Sequence, residues 1–479
     1  MFDKFHDECG IFGIFNHEEA ARYAYLGLHA LQHRGQESAG ICTDDGERLH
    51  VQRVMGLVAE NFTEDVLQKL PGRTGIGHVR YSTAGGSHPK NAQPFQITFS
   101  MGQIAVAHNG NLVNAGVLRR QLESQGSIFQ ATMDTEIFVH LIARSKKPTI
   151  EERIVDACRQ VQGAYSLLFL VPGKLIAVRD PFGFRPLVLG KHDGSWVLAS
   201  ETTALSLIDA AFVREIEPGE MVVIQGDNEL QSMQALPAAP HRRQCIFEFV
   251  YFARPDSFLF GHNVNEVRKR MGEQLARESG VAADVVIPVP DSGVPAAIGY
   301  ARASGIPFEM GFIRSHYIGR TFIEPTQQIR HFGVKLKLLP VRAVIEGRRV
   351  VVIDDSIVRS TTAKKIVKML WDAGAKEVHM RVSSPPTISP CYYGIDTPTK
   401  SELIAATHSV GEIREMLNAT TLAYLSLEGM IAATRADGDS FCHACFSEQY
   451  PIPFPYDCSA GSCGCSDPDV CQRSSDRTP

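Results

Sequence analysis

The stretch best equipped for chemistry is Val350 to Thr362, which reads VVVIDDSIVRSTT. Four β-branched residues lead into two adjacent acids, Asp354 and Asp355. Ser356, Ser360, Thr361 and Thr362 then surround Arg359. A short continuous apolar run suits a strand buried on both faces of a parallel sheet. The following AKKIVKMLWDAGA sets Ile366, Val367, Leu370 and Trp371 on one helical face, with Gly374 as the C-cap. The unit therefore reads strand, polar loop, helix. Hydroxyl residues at a helix N-terminus offer backbone N–H groups and a positive dipole end to a phosphate. Two acids at the C-terminal end of a strand can hold sugar hydroxyls, or a magnesium ion that bridges them to phosphate. The GxxxxGK[ST] spacing is absent, so this is not a Walker A loop. On residue type alone the acids could equally be solvated at an ordinary strand end.

DDSIVRSTT resembles the phosphoribosyl-pyrophosphate (PRPP) loop of the type I phosphoribosyltransferases. The resemblance implies that Asp354 and Asp355 meet the ribose hydroxyls and a magnesium ion. It further implies that Ser356, Arg359, Ser360, Thr361 and Thr362 hold the 5′-phosphate. Ser360 departs from the family's amidotransferase members, which carry glycine there; the substitution costs stability only if the backbone needs φ > 0. VVIPVPDSG at 285–293 is a second buried strand ending in a polar turn. By the same resemblance this turn faces the pyrophosphate, and Ser292 lies near the magnesium. Residues 314–339 carry Arg314, Arg320, Arg330, Lys335 and Lys337, either a solvated basic face or a flap over an anionic substrate. GRTFI and the QxxR step resemble the family's PRPP-ordered loop, which makes Arg320 and Lys335 PRPP ligands and the flap a water-excluding lid.

A chain of 479 residues exceeds one core and implies two or more domains. Its net charge of -5 advertises no basic face, so nucleic acid is not expected as a partner. No apolar run approaches the length of a membrane span. MFDKFHDE lacks the apolar core of a secretory signal. A cytoplasmic location is expected, where the eleven cysteines are reduced, catalytic or metal-bound rather than paired.

Strand-like segments recur through the N-terminal half, with helices near 18–32, 114–125, 134–144 and 150–160. That pattern predicts stacked sheets covered by helices. Cys9 opens CGIFGIF, a strand of alternating small and large apolar residues, and position alone favours a buried structural cysteine. Its company points elsewhere. CGIFGIF, LQHRGQESAGI at 31–41, HVRYSTAG at 78–85, AHNGNLVN at 107–114 and MDTEIF at 133–138 together resemble the N-terminal-nucleophile amidotransferases. Amide hydrolysis needs a nucleophile, a base and oxyanion donors. A cysteine at a free N-terminus supplies the first two, since its α-amine has a pKa of about 7.7–8.0. The resemblance thus implies a leader, residues 1–8, cut at the Glu8–Cys9 bond. It also implies an oxyanion hole of the Asn109 side chain and the Gly110 N–H. Arg80 would clamp the glutamine α-carboxylate with Thr83 beside it, and Asp134 would accept the α-ammonium. Taken singly, these are a surface arginine, an Asn-Gly turn and a helix N-cap.

The aperiodic residues 226–243, with two prolines, mark the domain boundary. Beyond it, Asn263 caps a helix over 263–278, and strands 285–289, 350–353 and 378–383 alternate with helices into a parallel sheet. Cys442 and Cys445 form CHAC, which alone reads as zinc, iron–sulfur, a redox pair or coincidence. Cys245 in CIFEF and Cys391 in SPCYYGID stand where the iron–sulfur subclass of the amidotransferases has its other two ligands, implying a [4Fe–4S] cluster on Cys245, Cys391, Cys442 and Cys445. No motif residue of either site lies beside these cysteines, which favours a structural role. Cys42 and Cys158 read as core residues. The small, polar tail from 457, with Cys458, Cys463, Cys465 and Cys471, is expected to be disordered.

Over residues 9–455 the chain resembles the glutamine PRPP amidotransferases. The expected architecture is an N-terminal-nucleophile αββα sandwich at 9–235 followed by a type I phosphoribosyltransferase parallel-sheet domain at 236–456. The implied reaction hydrolyses glutamine at Cys9 and passes ammonia internally to C1 of PRPP, displacing pyrophosphate in the first committed step of purine synthesis. The family further implies a homotetramer and feedback by purine nucleotides. Glucosamine-phosphate and asparagine synthetases share only the first half, and purine repressors only the second.

Overall fold

The computed structural model describes residues 9–81, 88–314, 338–436 and 438–453. Two antiparallel sheets stack in the N-terminal half. The seven-stranded sheet runs in the order Ala211–Glu215, Val188–His192, Ser195–Ala199, Gly10–Phe15, Thr74–Arg80, Ser38–Asp44 and Leu49–Met55. The six-stranded sheet runs Glu229–Gln234, Glu220–Gln225, Lys174–Arg179, Gly163–Val171, Gly102–Leu112 and Phe95–Phe99. Strand Gly10–Phe15 shows why both faces must be covered. Ile11 and Phe15 enter the core between the sheets, while Phe12 and Ile14 enter the core under the outer helix Ala20–Ala30. That is the period-two alternation of a strand with two apolar faces. Helices Ala115–Ser124, Thr135–Arg144 and Ile150–Cys158 cover the other sheet and complete an αββα sandwich.

Two segments depart from the expected boundaries. Residues 212–225 read as one strand run, but they split at Glu217–Gly219, and the two parts join different sheets. Inside the aperiodic 226–243, Glu229–Gln234 pairs antiparallel with Glu220–Gln225 as an edge strand. Its side chains are almost all exposed, so no hydrophobic alternation announces it.

In the C-terminal half a four-stranded parallel sheet runs in the order Val285–Pro288, Arg349–Asp354, Glu377–Val382 and Thr421–Tyr424. The first three are the buried strands expected, and Val350 to Ile353 have no exposed surface. The fourth is a half-buried edge of only four residues, too short to show a period. Helices Val264–Ser279 and Val294–Ser304 pack on one face, and Thr361–Asp372 and Val410–Leu417 on the other. Asn263 caps the first of these through its side chain, which accepts from Glu266 N at 3.1 Å. Gln244–Cys245, the first strand of this half, pairs in parallel with Phe441–Cys442 near its end, and the two halves meet through an apolar cluster of Ala164, Phe184, Tyr393 and Ile452. No helix among the described residues is long and apolar enough to cross a membrane.

Candidate active sites

Gly10 pairs with Val79, and Cys9 immediately precedes it, so the register sets Cys9 beside Arg80 at the end of the neighbouring strand. Both are buried, at 6% and 3% exposure. Burial pushes the Cys9 thiol up to about 11, and Arg80 is the strongest opposing influence. The neutral thiol is thus favoured near pH 7, and a nucleophile here needs a base at hand. Its Sγ lies 3.7 Å from the Tyr81 carbonyl oxygen.

The open edge of strand Gly102–Leu112 supplies the opposing wall. His108 N donates to Gln93 Oε1 at 2.8 Å, and Leu112 N donates to Asp134 Oδ2 at 2.9 Å. Val113 N, one residue out of phase, donates the other way, to Gln162 O. By strand alternation the Gly110 N–H points to the same open edge as those of residues 108 and 112, midway between two capped groups. Asn109 is fully buried, its Nδ2 lies 3.4 Å from Ser200 Oγ, and among the described residues its Oδ1 has no hydrogen-bond donor. Ser200 is itself fixed by accepting from Ile11 N at 3.0 Å, two residues from Cys9.

Asp134 occupies the N-cap position of helix Thr135–Arg144 but does not cap it through its side chain. Its carboxylate turns to Leu112 N and to His108, whose Nδ1 is 3.6 Å from Oδ1. Burial would raise this carboxyl; His108 and Arg80 together hold it below the usual range. A buried anion and a buried guanidinium therefore flank the thiol. That arrangement is suited to the two ends of an amino acid.

Sequence reasoning missed the charges underneath. Arg34, wholly buried, donates through Nε to the Cys9 carbonyl at 3.1 Å. Its other nitrogens reach Glu201 Oε1 at 2.5 Å and Glu248 Oε1 at 2.7 Å. Glu201 also accepts from Ser257 Oγ at 2.6 Å and from His33 Nε2 at 2.8 Å. Burial works against the guanidinium charge, but the two carboxylates hold its pKa above the usual arginine value. Arg34 lies within the LQHRGQESAGI block, but its acids are remote in sequence, so no spacing could pair them.

At the second site the turn and the loop come together as expected. Ser292 Oγ hydrogen-bonds Asp355 Oδ2. Ser356 Oγ donates to Asp355 Oδ1 at 2.6 Å, and Asp355 N donates to Asp354 Oδ1 at 2.9 Å. Both acids are nearly sealed, at 2% and 1% exposure. Ser384 Oγ steadies the turn from the next strand, donating to Asp355 O at 2.8 Å. Thr361 and Thr362 open the helix behind the loop. Arg359 pairs with Glu402 at 2.9 Å. Arg268, also missed, holds the Phe249 and Ala253 carbonyls at 2.7 and 2.8 Å. Burial lowers its pKa to about 10, with Asp355 the main opposing charge. Ser360 has φ +65° and no side-chain cap bond, so the left-handed backbone that favours glycine is occupied here by serine. Thr83, Arg320, Lys335, the leader 1–8 and the four tail cysteines lie outside the described residues.

Cys245 and Cys442 are partners in the two-residue parallel pair, and Cys445 O accepts from Ile388 N and Ser389 N, two residues from Cys391. The four thiols are near enough to influence one another electrostatically. Burial pushes Cys245 up to about 12 and the others above the usual thiol value. No group among the described residues closes on a single ion. Arg185, fully buried, is the cation that opposes the rise of the Cys245 pKa, and it sits 3.8 Å from Glu248. One expectation is corrected here. The cysteines are not remote from the first site: Asn111 Nδ2 donates to the carbonyl of Tyr392, next to Cys391, at 3.0 Å. Cys42 and Cys158 are core residues, at 0% and 3% exposure.

A glutaminase of the N-terminal-nucleophile class joined to a type I phosphoribosyltransferase domain is the class that this fold and pair of sites define. A glutamine amidotransferase domain model matches residues 78–207. Amidophosphoribosyltransferase 1, chloroplastic, of Arabidopsis thaliana is 56% identical over 94% of this chain and 80% of its own length. Amidophosphoribosyltransferase of Bacillus subtilis is 50% identical over 93% of this chain and 94% of its own. The solved B. subtilis glutamine PRPP amidotransferase, complexed with ADP and GMP, superposes with a TM-score of 0.89 at 48% identity, covering 94% of this chain and 98% of that one. The chain belongs to the amidophosphoribosyltransferase family of glutamine-dependent pentosyltransferases.

Proposed function

We propose that Cys9 hydrolyses glutamine and that the ammonia attacks C1 of PRPP held at Asp354 and Asp355, giving 5-phosphoribosylamine and pyrophosphate. The observation that carries this is a sealed thiol between Arg80 and Asp134, in the same chain as a buried acid pair on a hydroxyl loop. Arg80 binds the glutamine α-carboxylate and Asp134 the α-ammonium. The Cys9 α-amine, exposed when the Glu8–Cys9 bond is cut, takes the thiol proton. Sulfur attacks the side-chain amide carbon. The Asn109 Nδ2 and Gly110 N–H receive the oxyanion as ammonia leaves. Water then releases glutamate from the thioester.

At the second site Asp354 and Asp355 hold the ribose hydroxyls, while the backbone and hydroxyls of 356–362 hold the 5′-phosphate. Magnesium fits: it takes oxygen donors from one or two carboxylates and completes its shell with substrate phosphate and water. Asp354, Asp355 and Ser292 are the residues that would hold it, and bound there it would neutralise charge on the departing pyrophosphate. Cys245, Cys391, Cys442 and Cys445 fit a [4Fe–4S] cluster: four buried or half-buried thiols, two of them paired across one parallel ladder, would hold it, and they need not close on one ion. A homotetramer, purine-nucleotide feedback and a cytoplasmic location complete the reading. The ADP and GMP in the B. subtilis structure support the feedback.

The test is a chain purified without oxygen. Intact mass beginning at Cys9, glutamine-dependent pyrophosphate release from PRPP, and about four irons per chain are expected. Truncation after Tyr456 should leave the iron unchanged. A colourless zinc protein would overturn the cluster assignment, and full activity with residues 1–8 retained would overturn the role of the α-amine.

A further inference from the structure

The loop bearing Cys391 packs directly on the strand bearing Gly110. Asn111 Nδ2 donates to Tyr392 O at 3.0 Å. Gly394 has φ +106°, and a Cβ there would stand 2.9 Å from Gly110 Cα and 3.0 Å from its carbonyl carbon. That is roughly 0.6–1 Å inside ordinary carbon–carbon contact. On the neighbouring strand, the Ala164 carbonyl oxygen would stand 2.0 Å from a Cβ on Gly110. Gly110 is thus held between the backbone of its own sheet and the backbone of the other half of the molecule. Tyr393 locks the loop in this position. Its ring stacks on Phe184 with centroids 4.4 Å apart, and its hydroxyl lies 3.3 Å from Ile452 O.

We propose that Asn111 and Gly394 are positioning residues for the oxyanion donor, so that a loop of the C-terminal half sets the rate of glutamine hydrolysis in the N-terminal half. The inference rests on reading Cys9 and Gly110 as the glutaminase site. An oxyanion donor works over about 2.7–3.1 Å, so a displacement of half an ångström at Gly110 N is enough to weaken it. Arg80 and Asp134 sit on other elements, the end of strand Thr74–Arg80 and the start of helix Thr135–Arg144, so substrate binding should be spared. The loop thereby couples the cysteine region to the first reaction through the Gly110–Gly394 packing and the Asn111 hydrogen bond, without electron transfer.

The experiment compares Gly394→Ala, Asn111→Ala and Cys9→Ala in the full-length enzyme. Gly394→Ala should lower kcat for glutamine hydrolysis about 10–100-fold, with KM for glutamine within about 2-fold. Asn111→Ala, which introduces no backbone strain, should lower kcat in the same way by about 5–20-fold. In both, ammonia-dependent pyrophosphate release should stay within about 2-fold and iron content should match the unsubstituted chain. Unchanged kcat in both variants overturns the proposal. So does a parallel fall of glutamine hydrolysis, ammonia-dependent activity and iron, which would make the contact a fold contact only. Cys9→Ala separates the levels: glutamine hydrolysis surviving that substitution would refute the glutaminase reading itself.

Discussion

The two candidate sites are built on opposite plans. The first gathers Cys9, Arg80, Asn109, Gly110 and Asp134 from four separated segments, fixing the strand residues by antiparallel register and Asp134 by its bond from Leu112 N. Its charges are balanced within the protein, with Arg34 set between Glu201 and Glu248, and Asp134 beside His108 and Arg80. The second takes nearly all its groups from one strand–loop–helix run, with Ser292 reaching across. There Arg359 is engaged by Glu402, and Arg268 holds backbone carbonyls. A site assembled from afar must be preorganised by the fold, whereas a contiguous loop can leave part of its charge balance to the ligand.

Substitutions at the two sites should separate these plans. Asp354→Asn combined with Asp355→Asn should cut both glutamine- and ammonia-dependent synthesis by about 1,000-fold or more, sparing basal glutamine hydrolysis. Unchanged turnover of PRPP in steady-state kinetics would remove the acids from the second site. Arg34→Met leaves two buried carboxylates without their shared cation and should lower stability by about 3–5 kcal/mol in urea unfolding. A loss below about 1 kcal/mol would mean the first site is not charge-balanced in this way.

His78 beneath the first site is buried and neutral, its pKa pushed down to about 3 by burial. The unfolded chain binds this proton near pH 6.5 and the folded chain does not. The contribution is therefore complete above pH 6.5 and is lost as pH falls, at up to about 1.4 kcal/mol per pH unit. His78→Gln should flatten the fall of Tm between about pH 6.5 and 5. An unaltered slope would show that other groups set it. Ser360→Gly should relieve the left-handed backbone and raise stability by roughly 0.5–1 kcal/mol. A decrease would indicate that the serine hydroxyl is needed by the loop.

The same contrast explains what could be read from the sequence. Strand, acids, hydroxyls and helix of the second site lie in one stretch, so periodicity marked the elements and one contiguous motif, by its resemblance to the PRPP loop, marked the site without tertiary information. At the first site residue type alone made Cys9 a core cysteine and Asp134 a cap. Only the joint order of five blocks suggested more. Glu201 and Glu248 were invisible because they pair with Arg34 across the fold. Glu229–Gln234 carries no apolar face, so nothing in its pattern marked it as a strand. The Gly110–Gly394 contact involves backbone alone, and no side-chain pattern encodes it.

Nitrogen freed at the first site is used at the second, with separate chemistry at each. That division is tested most directly by pyrophosphate release from PRPP by Cys9→Ala, with glutamine and then with ammonia as the nitrogen source. The account predicts a fall of at least about 1,000-fold with glutamine, while the ammonia rate stays within about 2–3-fold of the unsubstituted chain. Loss of both rates in a folded, iron-containing protein, or retention of the glutamine rate, would contradict it.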